Sequence, residues 1–387
     1  MEYMKLCDIC DFQGGSQPPK NEWSFDLKAG YIRMLQIRDF TQSERVTPEY
    51  IKITKTTKIC EADDILIARY GASLGKILTG LAGAYNVAIM RTIPDTNVLE
   101  KRYLYYYLKS PVFQRFLLNV GSRAAQSGFN KNDLQDLLIP NISKRKQLEI
   151  IGILERVESV IETRKQELQK LDDLIKARFV EMFGNPVTNP MRWDEVEINA
   201  CLKSIENGKS FVCDGFARNG DVPAILKLSA VTDGVYRPDE NKAIIDENLF
   251  IESAEVHEDD LLFTRKNTPE LVGMAAYVFS TPKKLMMPDL IFRLNTNDSC
   301  NKVYLWKLIN HELFRGKIQS IASGSAKSMS NISKERLGKL LICLPPIELQ
   351  KDFADFVVQV EKSKAAVQKA LDKTQLLFDS LMQKCFG

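Results

Sequence analysis

Apolar positions along the chain change period twice over. Between Gln147 and Met182 they recur in steps of three and four, so that Leu154, Val157, Ile161, Leu168, Leu171 and Ile175 share one stripe, interrupted at the same spacing by Arg164 and Arg178. A second stripe runs through Val357, Val360, Val367, Leu371, Phe378 and Leu381 and is interrupted by Lys364 and Thr374. This spacing predicts two long helices with heptad seams. Each would run for about 40 residues, or roughly 60 Å. A helix of that length lying on its own domain would leave most of its seam uncovered, and the two leaky seams are predicted to cover one another as a coiled coil. Ahead of each helix the pattern shortens. "YIRMLQI", "DILIARY" and "AYNVAIM" read as strands between glycine-rich turns. "KRYLYYYLKSPVFQRFLLNV" and "KVYLWKLINHELFRGKIQSI" each read as one helical stretch carrying core aromatics, with Tyr103 matching Tyr304 and Phe113 matching Phe314.

These matches belong to a tandem repeat. A shift of 203 positions pairs Gly121 and Ser122 with Gly324 and Ser325, Lys131 with Lys334, Gln147 with Gln350, and Glu158 with Glu361. It also pairs Phe183 and Gly184 with Phe386 and Gly387, so the chain closes on a phrase it has already used. Upstream the offset drifts: "ADDILIAR" answers "EDDLLFTR", and "MLQIRDF" loosely answers "ILKLSAV". The front of each repeat has diverged while its back has not.

Breakers divide the layout. "GNPVTNP" follows the first helix and "LPPIELQ" opens the second. The expected order is a front over 1–142, a helix over 143–184, a front over 185–345 and a helix over 346–387. The fold class is α/β in the broad α+β sense: two mixed domains of ordinary size separated by two long antiparallel helices with pseudo-twofold symmetry. Such an arrangement brings Gly387 back toward the N-terminus.

Composition narrows the function classes. At 387 residues with 44% apolar and 27% charged residues, the chain has the ordinary balance of a soluble globular protein of two domains. Its longest apolar runs, such as "LVGMAAYVF", are too short to span a bilayer, and the first residues lack a secretory pattern. No membrane partner and a cytoplasmic location are expected. The 8 cysteines have no disulfide-scaffold spacing, and the Cys7 and Cys10 pair lacks a second ligand pair for zinc. Net charge is only +3, so any nucleic-acid partner must be met by local basic patches.

Catalytic patterns fail one by one. "NPVT", "NPMR", "QPPK" and "LPPI" miss the Asn/Asp-Pro-Pro-aromatic loop of an amino-methyltransferase. "GASLGKI" has one residue too few between its glycines for a phosphate loop and ends on Ile77 where Ser or Thr should ligate magnesium. In "RPDENK" the second acid and the lysine crowd too close for a nuclease site. The 2 histidines, His257 and His311, give nucleophilic or metal catalysis little to stand on. No catalytic residue, no metal site and no cofactor in this chain are expected.

With its helix "KRKQLEIIGILERVESVIETRKQELQKLDDLIKARFVEMFG", preceded by "GSRAAQSGFNKNDLQDLLIP" and answered by "GSAKSMSNISKERLGKLLICLPPIELQKDFADFV", the chain resembles the specificity (S) subunit of type I restriction-modification systems over its whole length. "DDILIARYGASLGKI" and "GAYNVAI" look like parts of such recognition domains. The resemblance implies that each front is a target recognition domain reading one half of a split DNA sequence and that the helices are the spacer. It also implies double-stranded DNA, modification (methyltransferase) subunits, two in number, and restriction (translocase/nuclease) subunits as partners, with S-adenosylmethionine, ATP and Mg2+ acting in those subunits. A specificity subunit of a type II system and a coiled-coil adaptor for protein or peptide remain alternatives. Divergent fronts on a common scaffold favour two different half-sequences over a symmetric adaptor.

Arginine, glutamine, asparagine, lysine and serine at turn edges are the residue types that read bases or hold phosphates. Candidate DNA contacts in the first front are Ser16, Gln17, Lys20, Gln36, Arg38, Arg69, Tyr70, Ser73, Lys76, Arg123 and Gln126. In the second they are Lys209, Ser210, Arg218, Lys227, Arg265, Lys266, Asn267, Ser325 and Lys327. Arg69 and Arg265 stand out because both follow a "DDIL"-like strand at the same point.

Overall fold

The computed structural model describes residues 2–42, 45–121, 128–210, 213, 215–244, 246–324 and 329–387. Four helices organise it: α1 (Lys101–Lys109), α2 (Lys144–Phe183), α3 (Lys302–Asn310) and α4 (Ile347–Phe386). The long helices α2 and α4 have 40 residues each and are related at both ends by the repeat offset. Every seam position is covered. Leu154, Ile161, Ile175, Val357, Val360 and Val367 are buried, while Val157, Leu168, Leu171, Leu371, Phe378 and Leu381 are half-buried, as are the interrupting Arg164, Arg178, Lys364 and Thr374.

The chain divides into two compact units that do not follow the linear order of fronts and helices. One comprises Met1–Lys165 with Gln368–Gly387, the other Gln166–Val367. In the first, Leu154 of α2 and Phe378, Leu381, Met382 and Phe386 of α4 join Tyr103, Tyr106 and Tyr107 of α1 in one core. In the second, Ile175, Phe179 and Phe183 of α2 join Phe353, Val357 and Val360 of α4 around Tyr304 of α3. The start of one long helix thus packs beside the end of the other in each unit, which makes the pair antiparallel. The repeated Phe-Gly ends have a crossed duty. Phe386, closing the second repeat, lies 5.1 Å from the Tyr103 ring of the first front, and Phe183, closing the first repeat, lies 4.9 Å from the Tyr304 ring of the second.

The repeated glutamines explain why the helix starts are so alike. Gln147 accepts from the Glu100 backbone N–H and donates to the carbonyls of Val98 and Ile142. Gln350 accepts from the Asn301 N–H and donates to Ser299 and Pro345. A buried amide that satisfies three backbone groups fixes the entry to α1 and to α3 against its long helix.

Beside short two-stranded ladders, each front carries two larger sheets built around equivalent strands. In the first unit these are β1 (Cys10–Gly14), β2 (Tyr31–Leu35), β3 (Tyr50–Lys52), β4 (Leu66–Ala68), β5 (Gly83–Tyr85) and β6 (Ile89–Pro94). In the second they are β7 (Leu202–Asn207), β8 (Ala224–Leu226), β9 (Asn241–Ala243), β10 (Leu261–Thr264), β11 (Leu285–Met286) and β12 (Ile291–Thr296). One sheet runs β1-β6-β4 and its counterpart β7-β12-β10, each extended by one further strand. The other runs β3-β2-β5 and β9-β8-β11, with β2 parallel to β5 and β8 parallel to β11.

The structure departs from two expectations of the sequence. The aromatic stretches are not single helices: Pro111, which lacks an N–H and keeps Ser110 extended, starts a second helix in the first unit, and His311 caps a second helix in the other. "AYNVAIM" is not one strand either. It ends β5 at Tyr85, turns, and resumes as β6 at Ile89, passing from one sheet to the other.

Candidate nucleic-acid interface

That crossing turn is the hub of each front. In the first unit Ser16 donates its N–H to the Tyr85 carbonyl, Asn86 donates to Leu35 just ahead of Gln36, and Arg69 donates its N–H to Ala88. In the second, Lys209 donates to Met287 and Arg265 to Leu290. Three separate loops therefore meet on 85–88, and the counterparts of two of them meet on 287–290. Their approach is so close that only glycine fits: a Cβ on Gly15 would lie 2.1 Å from the Asn86 carbonyl oxygen, and one on Gly208 would lie 2.2 Å from that of Pro288.

A carboxylate beside the hub gathers several of the expected contact residues. Gln36 caps the short helix Ile37–Thr41, and its Nε2 donates to Glu49 Oε2 at 2.7 Å. Arg38 pairs with the same oxygen, and Lys20 reaches Oε1 at 3.2 Å while lying 3.6 Å from the Trp23 ring centre. Burial pushes the Glu49 carboxyl up, but Lys20, Gln36 and Arg38 outweigh it and hold the group below its ordinary value. The second unit repeats the frame with different side chains. Ser229 donates to Glu240 Oε2 at 2.7 Å, and Lys227 Nζ lies 3.5 Å from that oxygen. The Ser229 hydroxyl and Lys227 hold Glu240 below its usual range. Lys227, Ser229 and Lys242 line a cavity of about 520 Å³ with Ser210 and Asp289. Asp289 accepts from Ser210 Oγ and lies 3.9 Å from Lys266 Nζ.

Other candidates take supporting places. Arg69 donates through Nε to the Phe129 carbonyl at 2.9 Å and through Nη1 to that of Val87 at 3.3 Å. Arg265 holds the Asn331 amide oxygen at 3.4 Å and lies 5.0 Å from the Phe292 ring centre. Both repeated arginines thus fasten a later segment of their front to the hub, at Phe129 in the first and at Asn331 in the second. Tyr70 is exposed and bridges Gly128, whereas Ser73 and Lys76 lie farther along the hairpin that follows β4. Arg218 donates to the carbonyls of Lys283 and Val222, and its N–H to Asn241 at the start of β9. Asn267 is buried and its amide is spent on Thr232 and the Thr268 N–H, which gives it a place in the scaffold. Arg123, Gln126, Ser325 and Lys327 lie outside the described residues.

Sequence reasoning missed Glu49, Glu240 and Asp289. A signal for the first two existed: each carboxylate stands thirteen residues after the capping residue, Gln36 or Lys227, at the offset that relates "MLQIRDF" to "ILKLSAV". The "DD" of each front is a clamp. Asp63 and Asp259 meet Lys101 and Lys302 at 2.8 Å, while Asp64 and Asp260 meet Arg91 and Arg293 at 2.8 and 2.9 Å. A cavity of about 940 Å³ in the second unit, bordered by Phe179, Trp306 and His311, contains none of the candidate DNA contacts, and its Lys307 and Lys364 are paired with Glu361. Cys7 donates to the Leu134 carbonyl and Cys10 is buried, so the pair serves packing. Among the described residues no helix is long and apolar enough to cross a membrane.

Comparison with known proteins agrees with this arrangement. Residues 1–173 and 190–374 match the family model described as type I restriction modification DNA specificity domain. The Escherichia coli type I restriction enzyme EcoEI specificity subunit is 32% identical over 203 residues, covering 51% of this chain and only 34% of that relative's length. The MjaVIII specificity subunit of Methanocaldococcus jannaschii is 21% identical over 85% of this chain and 81% of its own. In fold, the chain matches the type I restriction-modification S subunit from M. genitalium with a TM-score of 0.58 at 13% identity, covering 100% of this chain and 96% of that one. With two family matches that together cover nearly all of its residues, the chain belongs to the type I restriction modification DNA specificity domain family.

Proposed function

We propose that this chain is the sequence-specific DNA-binding subunit of a type I restriction-modification complex and reads a two-part target, one half-sequence per front. One observation carries the reading: the two hubs share a backbone frame but present different chemistry at equivalent points. Ser16 and Gln17 stand where the second front has Lys209 and Ser210, and Gln36 and Arg38 stand where it has Lys227 and Ser229. A constant frame with exchanged donors is what two readers of different base sequences require, because specificity lies in side-chain edges while backbone contacts set register. The chain does no chemistry in this reading. It delivers methyltransferase and translocating nuclease subunits to the target, and S-adenosylmethionine, ATP and Mg2+ act within those subunits in the cytoplasm.

The repeated arginines give the test. Because each fastens the loops of its own front to the hub, Arg69→Ala should weaken binding of one half-sequence and Arg265→Ala the other, each by about 1–3 kcal/mol. Duplexes altered in one half at a time measure the two losses separately. Equal loss on every duplex, including unrelated ones, would reduce both residues to phosphate contacts.

A further inference from the structure

The carboxylates that gather the reading side chains are an odd choice for a surface that meets phosphate. A negative charge there opposes every sequence alike, and its presence at the same point of both fronts calls for a role that repays this repulsion. We propose that Glu49 and Glu240 are positioning residues that set half-sequence selectivity, each by holding the donors of its own front in one orientation and by opposing phosphate-only binding. The proposal rests on the DNA-reading function above.

Three features support it. First, each carboxylate is fixed to the scaffold it serves. Glu49 immediately precedes β3 and its carbonyl accepts the Met34 N–H, while Glu240 immediately precedes β9 and its carbonyl accepts the Lys227 N–H. Second, the contacts converge: Gln36, Arg38 and Lys20 on Glu49, and Lys227 and Ser229 on Glu240. Long side chains held before DNA arrives lose less rotamer freedom on binding, which favours the duplex whose base edges match that one arrangement. Third, an arginine or lysine paired with its own carboxylate is less available to an arbitrary phosphate. The carboxylate therefore acts against wrong partners as well as for the right one.

The test uses the full chain carrying Glu49→Gln or Glu240→Gln, changes that keep shape and remove charge. Binding is measured to the preferred duplex, to duplexes altered in one half, and to an unrelated duplex across a salt series, alongside thermal melting. Glu49→Gln is expected to bind the unrelated duplex more tightly, with a salt dependence steeper by about one phosphate contact. Its preference for one half-sequence should fall about tenfold while the other is kept. Glu240→Gln should show the mirror image with melting unchanged, while Glu49→Gln should melt only slightly earlier, by the stabilisation that its paired carboxylate supplies. A merely structural carboxylate would lower melting and leave the salt slope alone. Unchanged preferences, or both preferences falling together with melting, would overturn the proposal while leaving the DNA-reading function in place. An unsubstituted chain that prefers neither half would overturn that function as well.

Discussion

Phe386→Ala is expected to loosen the first front and spare the second, although Phe386 belongs to the second repeat. The ring is 1% exposed and packs against Tyr103 and, at 5.9 Å between ring centres, Tyr107. Removing a buried phenylalanine ring costs about 3–5 kcal/mol. Phe183→Ala should do the converse, since that ring and its contacts Tyr304 and Phe353 all lie in the second unit. Amide hydrogen exchange resolves the two outcomes. Protection should fall around α1 in the first variant and around α3 in the second. Loss confined to the repeat that carries the substitution would contradict the crossed packing.

The second large effect lies at Arg293. Its Nε is 2.9 Å from Asp260 Oδ2, Nη1 donates to Glu206, and Nη2 donates to the Glu255 carbonyl. Asp260 and Arg293 are both buried, and burial raises the Asp260 carboxyl above its ordinary value despite the opposing guanidinium. Arg293→Met leaves that carboxylate buried without its cation and should cost about 3–5 kcal/mol near neutral pH. The pH dependence has a definite sign. A carboxyl whose folded value is raised binds its proton more readily in the folded state, so its contribution is present below the unfolded value and is lost as pH rises through the folded one. Without Arg293 the folded value climbs further. The deficit of the variant should therefore shrink on acidification toward the ordinary carboxylate range, which denaturant melts at several pH values will show.

The long helices were legible because a heptad stripe is a local pattern, and the 203-residue offset fixed their equivalence without any structure. Legibility ended where the chain folds across itself. Nothing local to "EMFG" says that Phe183 completes the core of the other front, since that contact depends on the antiparallel pairing of two helices far apart in sequence. "AYNVAIM" has the apolar texture of one strand, and only the parallel partner of β5 and the antiparallel partners of β6 reveal the turn between them. Chemical type at turn edges identifies donors but not their acceptors. Hence Gln36, Arg38 and Lys227 are legible as donors while Glu49 and Glu240 are not legible as their acceptors. Asn267 shows the same limit from the other side: an amide able to read adenine is instead buried among its own neighbours.

Selection of bound duplexes from a fully randomised library is the most direct measurement of two fronts reading two half-sequences. It should be run on the full chain and on two double variants, Gln36→Ala with Arg38→Ala and Lys227→Ala with Ser229→Ala. The unsubstituted chain should enrich two conserved blocks separated by an unread gap, and each double variant should lose one block while keeping the other at the same spacing. A single uninterrupted block, or two blocks that degrade together in both variants, would contradict the assignment of one half-sequence to each front.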